Sequence, residues 1–118
     1  MAWQTKTIDE TANLAGDEPN PVARLRTLAQ SLATRDKLET AMRGWAQSDK
    51  GARTACDNVD AARITLFQDA LSETGINNPE MSRIIYATAI GMTAMPKAAP
   101  KDSHAAIGSL IDLVLALR

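Results

Sequence analysis

Apolar residues recur every three or four positions along most of the chain, which is the period of an amphipathic helix. A first helix is predicted from Trp3 to Ala15, followed by a break at 16–19 that ends in a proline. Asn20-Pro21 then supplies an N-cap and a proline at the first helical position. Apolar residues follow at helical spacing as far as Leu32. This stretch therefore predicts two helices.

The middle of the chain predicts further helices, each opened by a residue that caps helices well. Asp36 and Glu39 have the spacing of a capping box, in which each side chain bonds the other residue's backbone amide. The apolar face of that helix is expected to be Leu38, Met42 and Trp45. Asp49 is expected to cap a short fourth helix, and another helix begins near Asn58. That helix stops at Gly75, which can take the left-handed conformation of a helix end, with the next residue, isoleucine, as the hydrophobic contact.

The last two predicted helices are apolar over more of their surface than one core contact requires. The first runs from Pro79 to Met95 and carries no charge after Arg83, and a linker bracketed by Pro96 and Pro100 follows. Asp102 or Ser103 is expected to cap the final helix. We expect the two helices to pair with their copies in a dimeric four-helix bundle. The alternative is that both form the centre of a monomeric bundle. The candidate interface residues are Ile84, Ala87, Gly91, Met95, Ile107, Leu110, Ile111, Val114 and Leu117.

Composition supports an all-α fold of about six helices in one domain. The 118 residues include 21 alanines but only 3 valines and 4 aromatic residues. Alanine is the best helix former, and β-branched and aromatic residues are the usual strand material. A chain of this length is one domain that spans residues 1–118.

Charge and cysteine content exclude several classes of partner. Thirteen basic residues against 14 acidic residues leave no electrostatic footprint for nucleic acid. A single cysteine, Cys56, excludes an internal disulfide framework and a multi-cysteine zinc site. We expect no metal, no cofactor and no membrane span. With no signal peptide at Met1, the expected compartment is the cytoplasm.

No arrangement of residues suggests catalysis, so we do not expect an enzyme. His104 is the only histidine, and no acid that could orient it lies nearby in sequence. The adjacent carboxylate pairs do not face one another on a helix. Neither a phosphate-binding glycine loop nor the Glu-x-x-His motif of a diiron bundle is present.

Three spaced patterns in the middle of the chain resemble a known family. They are Arg43-x-Trp45-Ala46-x-x-Asp49, then Asp60-x-x-Arg63, then Leu71-x-x-x-Gly75. The combination resembles the C-terminal domain of TetR-type transcriptional regulators, the tetracycline-repressor family. Trp3 and the Arg24-Leu25-Arg26 stretch are also similar, so the resemblance covers nearly the whole chain.

The resemblance implies a regulatory domain with a ligand pocket inside a triangular arrangement of helices. It implies that the last two helices form a homodimer, which agrees with their apolarity. Such regulators bind DNA through an N-terminal helix-turn-helix head, and binding of a small effector changes the spacing of the two heads. No head segment precedes Trp3, so we expect DNA binding only through a head that this chain does not contain. The other reading is a dimeric interaction module without a ligand.

The candidate pocket residues combine bulk with a few polar groups, and the expected effector is small and apolar or amphipathic. Tyr86 lies on an apolar helix, so its hydroxyl needs a partner that a ligand could provide. Asp60 and Arg63 are spaced to pair with each other, and Arg63 could instead bind an acidic effector. Trp45 could be a core aromatic or a pocket wall. The full candidate set is Met42, Trp45, Arg63, Phe67, Tyr86 and Ile90.

Overall fold

The fold is a bundle of α-helices, as the sequence predicts. The computed structural model describes residues 2–33, 36–95 and 100–118, and within these ranges it contains six helices and no strand. The four residues of the predicted linker before Pro100 lie outside the described residues. The helices are α1 (Ala2–Asp17), α2 (Pro21–Leu32), α3 (Lys37–Trp45), α4 (Lys50–Glu73), α5 (Pro79–Ala94) and α6 (Pro100–Ala116).

The predicted asparagine caps are confirmed at α2 and α5. The side chain of Asn20 accepts a hydrogen bond from the amide of Ala23 at 3.0 Å. Asn78 accepts one from the amide of Glu80 at 2.9 Å. In both helices a proline occupies the first turn, where the missing amide hydrogen costs nothing.

The predicted left-handed end of α4 is confirmed at Gly75, whose φ is 94°. The amide of Ile76 donates to the carbonyl of Leu71 at 3.0 Å, and the amide of Gly75 donates to Ser72 at the same distance. These two bonds form the Schellman arrangement. Ile76 packs against the core, so the chain turns sharply from α4 toward α5.

The predicted break near Asn58 is wrong, because α4 runs unbroken for 24 residues. The buried face continues through the expected break, from Cys56 to Val59 to Arg63. Asn58 points outward, and its amide donates to the side chain of Gln4 at 3.4 Å. Asp102 and Ser103 also do not cap the last helix, since α6 begins at Pro100.

Two clusters of buried side chains lie along α4. The larger one fills the space between α2, α4, α5 and α6, and its largest members include Phe67, Leu25, Leu71, Ile85 and Ile107. The smaller cluster joins α1 and α3 to the first half of α4. It contains Trp3, Met42, Ala52, Ala55, Cys56 and Val59.

Helix α3 is less covered than its pattern predicts. It packs against α4, and of its three expected apolar residues only Met42 is buried. Leu38 is 55% exposed and Trp45 is 50% exposed. Helix α1 buries two polar side chains, since its buried residues are Trp3, Thr7 and Thr11. Among the residues that the structure describes, no helix is both long and apolar enough to cross a membrane.

Candidate functional site

A cavity of about 690 Å³ opens between the first five helices. Helices α1 and α2 contribute threonine, serine and leucine side chains to one side, and α3 and α4 contribute a charged wall on the other. Ile90 closes it from α5. The volume lies within the range of small-molecule sites. The cavity is therefore the candidate functional site.

Arg43 of α3 holds two carboxylates in the charged wall. Its Nη1 and Nη2 donate to the two oxygens of Asp60 on α4, at 3.2 and 2.7 Å. Its Nε donates to Glu39, one turn earlier on α3, at 3.1 Å. Bidentate pairing of this kind fixes both the distance and the orientation of the two helices.

Arg63 of α4 completes the wall from the opposite side. Its Nη1 and Nη2 donate to the two oxygens of Glu39 at 3.0 and 2.9 Å. Only 9% of the Arg63 side chain is exposed. Its Nε is buried and has no hydrogen-bond partner. Glu39 therefore links both arginines, and α3 is joined to α4 by four alternating charges.

These contacts overturn two expectations from the sequence. Asp60 and Arg63 do not pair with each other, because Asp60 binds Arg43 and Arg63 binds Glu39. The capping box of α3 forms only in part. Asp36 caps the helix by accepting from the amide of Leu38 at 2.9 Å, whereas the Glu39 carboxylate is turned toward the two arginines.

Tyr86 carries the charge network into α5. Its hydroxyl donates to Asp60, and it accepts hydrogen bonds from Arg43 at 3.2 Å and Arg63 at 3.4 Å. The hydroxyl partner expected from a ligand is thus supplied by the protein itself. Burial, with smaller effects from its charged neighbours, raises the pKa of Tyr86 to about 12.

Both arginines stay charged in this setting. Burial by itself lowers the pKa of Arg63, but the hydrogen bonds and charge of Glu39, and then those of Tyr86, raise it by more. For Arg43, burial is likewise outweighed by its bonds to Asp60, and the net pKa lies above the ordinary arginine value. The four charged groups balance, since two carboxylates face two guanidiniums.

Three of the hydroxyl groups around the cavity donate their protons to backbone carbonyls. Thr11 donates to the carbonyl of Thr7 at 3.0 Å. Ser31 donates to Leu28 at 2.7 Å, and Thr40 donates to Asp36 at 3.0 Å. A hydroxyl has one donor and two acceptor lone pairs. These three groups are therefore left as acceptors at the cavity.

The structure brings only part of the predicted pocket together. Arg63 and Ile90 line the cavity. Phe67 is fully buried in the larger core cluster, and Met42 is buried in the smaller one. Tyr86 lies behind the charged wall, and Trp45 points to solvent, so neither lines the cavity.

The predicted dimer residues divide between a surface and the core. Ile84, Ala87 and Gly91 are exposed along one face of α5, and Met95 is exposed just after the end of that helix. Leu117, just after the end of α6, is 86% exposed. Leu110 is half-buried. The remaining three do not face a partner, because they pack inside this chain's own core: Ile107, Ile111 and Val114.

Other reactive groups are few. Cys56 is buried, and burial, followed by smaller effects of neighbouring charges, raises the pKa of its thiol. It is a small core residue rather than a nucleophile. His104 is exposed on α6. In the described part of the chain, no three histidine, cysteine or acidic side chains are grouped so that they could hold a metal ion.

Sequence reasoning missed most of the cavity wall. Glu39 and Arg43 are four residues apart on α3, which was the available signal for a charged face. Nothing local predicts that Thr7 and Thr11 turn inward. Comparisons with known proteins found no match: no protein-family model, no curated protein and no solved structure is similar to this chain.

Proposed function

We propose that this chain is the ligand-binding and homodimerising body of a TetR-type transcriptional regulator. The proposal is supported by the sequence patterns around Arg43, Asp60 and Gly75 and by the order of six helices. The observation that carries it is the cavity of about 690 Å³ between the first five helices, whose volume suits a small effector. DNA would be bound by a separate helix-turn-helix head.

The charge network offers a route from the cavity to α5. Arg43 and Arg63 line the cavity and also bond the Tyr86 hydroxyl. A ligand that moves α3 against α4 therefore changes the contacts that hold α5. It shifts the balance between two helix packings only by its difference in affinity for them.

The proposed dimer uses the exposed face of α5 with the exposed face of α6. Small residues lie four apart on both helices, Ala87 with Gly91 and Ala105 with Ser109, and all four are exposed. Larger apolar side chains flank them, among them Ile84 and Leu113, which are 50% and 63% exposed. Small residues let two helices approach closely, and the flanking apolar area drives association.

Ligand binding is tested by a thermal-shift screen of a metabolite library, with calorimetry for each hit. Gly44 lines the cavity, and a Cβ at this position would meet nothing within 4 Å. Gly44→Phe should therefore fold and abolish the response to a hit by filling the cavity. Gly16→Phe is the matched control, because Gly16 is exposed on α1 and equally open. A hit that binds Gly44→Phe unchanged contradicts the proposed site.

Dimerisation is tested by sedimentation velocity at micromolar concentration. The wild type should sediment as a dimer, and Gly91→Glu should sediment as a folded monomer, since a Cβ at Gly91 meets nothing within its own chain. Gly16→Glu adds the same charge on α1 and should stay dimeric. A monomeric wild type would refute the dimer.

The alternative function is a helical interaction module without a small-molecule ligand. The exposure of Leu38 and Trp45 on one side of α3 is the observation that favours it. Under this alternative the library screen finds no hit, and Gly44→Phe changes nothing but local packing.

A further inference from the structure

We infer that the ligand of the cavity is an uncharged amphipathic molecule whose polar group both donates and accepts hydrogen bonds, as a carboxamide does. This inference rests on the proposed ligand-binding function. It adds the chemical class of the ligand, which follows from what the cavity wall leaves unsatisfied.

The charges on the inner wall leave no place for a charged ligand group. Glu39 and Asp60 are each held by guanidinium groups, and Arg43 uses all three of its nitrogens on protein acceptors. A ligand carboxylate or ammonium entering beside these pairs loses its hydration without gaining an unpaired partner. The two other carboxylates at the cavity, Glu10 and Asp36, lie on exposed residues, where water screens them.

The cavity wall leaves both acceptors and donors unsatisfied. The oxygens of Thr11, Ser31 and Thr40 can accept, because their own protons are donated within their helices. Arg63 lines the cavity and keeps N–H donors that no protein acceptor takes. Its Nε–H is buried without a partner, although such groups are nearly always paired, and its Nη2, which carries two hydrogens, donates only to Glu39. A ligand group that satisfies both needs an N–H or O–H that donates to the hydroxyl oxygens, and a carbonyl or hydroxyl oxygen that accepts from Arg63.

The remaining lining sets the rest of the ligand. Leu14, Leu32, Ile90 and Ala94 contribute apolar surface from α1, α2 and α5. A compact hydrocarbon body would cover this apolar surface, which a small polar group alone does not reach. The two features together define an amphipathic and neutral molecule.

The test compares three compounds that share one hydrocarbon body and differ only in the polar group. These are adamantane-carboxamide, adamantane-carboxylate and adamantane-methylammonium, each titrated into the full chain at neutral pH by calorimetry. Amide NMR shifts of Thr11, Ser31 and Ile90 locate the binding. The carboxamide should bind at least about fivefold more tightly than either charged compound. This margin corresponds to one net hydrogen bond.

A pair of isosteric variants tests the acceptor role directly. Thr11→Val should weaken carboxamide binding about 3- to 10-fold, because one acceptor is removed without a change of shape. Thr54→Val removes a hydroxyl with the same bond to its own helix, 3.0 Å to Lys50, but outside the cavity. It should leave binding unchanged.

Three outcomes overturn the inference. A charged compound that binds as tightly as the carboxamide refutes the ligand class but leaves a ligand site in place. Equal effects of Thr11→Val and Thr54→Val refute the acceptor role. Binding by none of the three compounds also overturns the inference, and the Gly44→Phe result with library hits then decides the proposed function separately.

Discussion

The crossed pairing of Arg43 and Arg63 makes a quantitative prediction about which charges are coupled. Arg63 is nine-tenths buried, and Glu39 is its carboxylate partner, with both guanidinium ends engaged. Glu39→Gln leaves the buried Arg63 guanidinium without its carboxylate, which costs about 3 kcal/mol of unfolding free energy. Arg63→Met should cost less, because Glu39 keeps Arg43 as its partner. The double variant removes both charges, so it should cost less than the sum, with a coupling energy of about 1–3 kcal/mol.

The same cycle with Asp60→Asn in place of Glu39→Gln is the matched comparison. Asp60 and Arg63 share only the Tyr86 hydroxyl as a common contact. Their coupling energy should therefore be smaller than that of Glu39 and Arg63. Unfolding free energies come from urea titration followed by circular dichroism. If Asp60 and Arg63 couple as strongly as Glu39 and Arg63, the i, i+3 pair expected from sequence is the real one and the crossed pairing is wrong.

Three further predictions follow from single residues. Tyr86 is the chain's one tyrosine, so absorbance titration should give a pKa near 12 in the native protein and about 10 in urea. Because the pKa of Tyr86 is higher in the native protein than in the unfolded chain, the stability that the protonated hydroxyl contributes should be complete below pH 10 and lost between pH 10 and 12. A native pKa of 10 would contradict the burial of Tyr86. Gly75→Ala should lower the unfolding free energy by about 1 kcal/mol, because the backbone φ of 94° is strained for alanine. Gly44→Ala, within α3, should raise it by up to about 1 kcal/mol. Equal effects of the two substitutions would show that Gly75 is under no left-handed strain. Iodide should quench the fluorescence of the exposed Trp45 and not that of the buried Trp3. Trp45→Phe should therefore abolish most of the quenching. If Trp3→Phe abolishes it instead, Trp3 is the exposed tryptophan and this prediction is wrong.

The parts of the fold that sequence predicted are those set by neighbouring residues. Asn20, Asn78 and Gly75 act on amides and carbonyls within a few positions, so their roles are readable from the chain alone. The unbroken α4 was missed because Asn58 is a good cap residue and an acceptable exposed residue inside a helix. Which of the two applies depends on whether the buried face continues past it, as it does at Val59.

The cavity was predicted less well because its wall is made of contacts between distant segments. Arg63 and Ile90 were identified, but the partner of Arg63 is 24 positions away on another helix. Tyr86 was expected to need a ligand, and its hydroxyl is instead used by three charged side chains. Helical spacing limits which residues share a face, but it does not determine which faces meet.

The length of α4 has a consequence for how the protein opens. This single helix of 24 residues contributes to both buried clusters. In the smaller cluster, only α1 and α3 pack against the first half of α4. Opening free energies within one protein are uneven, and regions with few buried apolar contacts open first. Amide hydrogens of α3 should thus exchange by a local opening that leaves the second half of α4 protected. The charged wall holds α3 against α4 and so opposes this local opening. A ligand in the cavity should slow hydrogen exchange in α3 more than in the larger core.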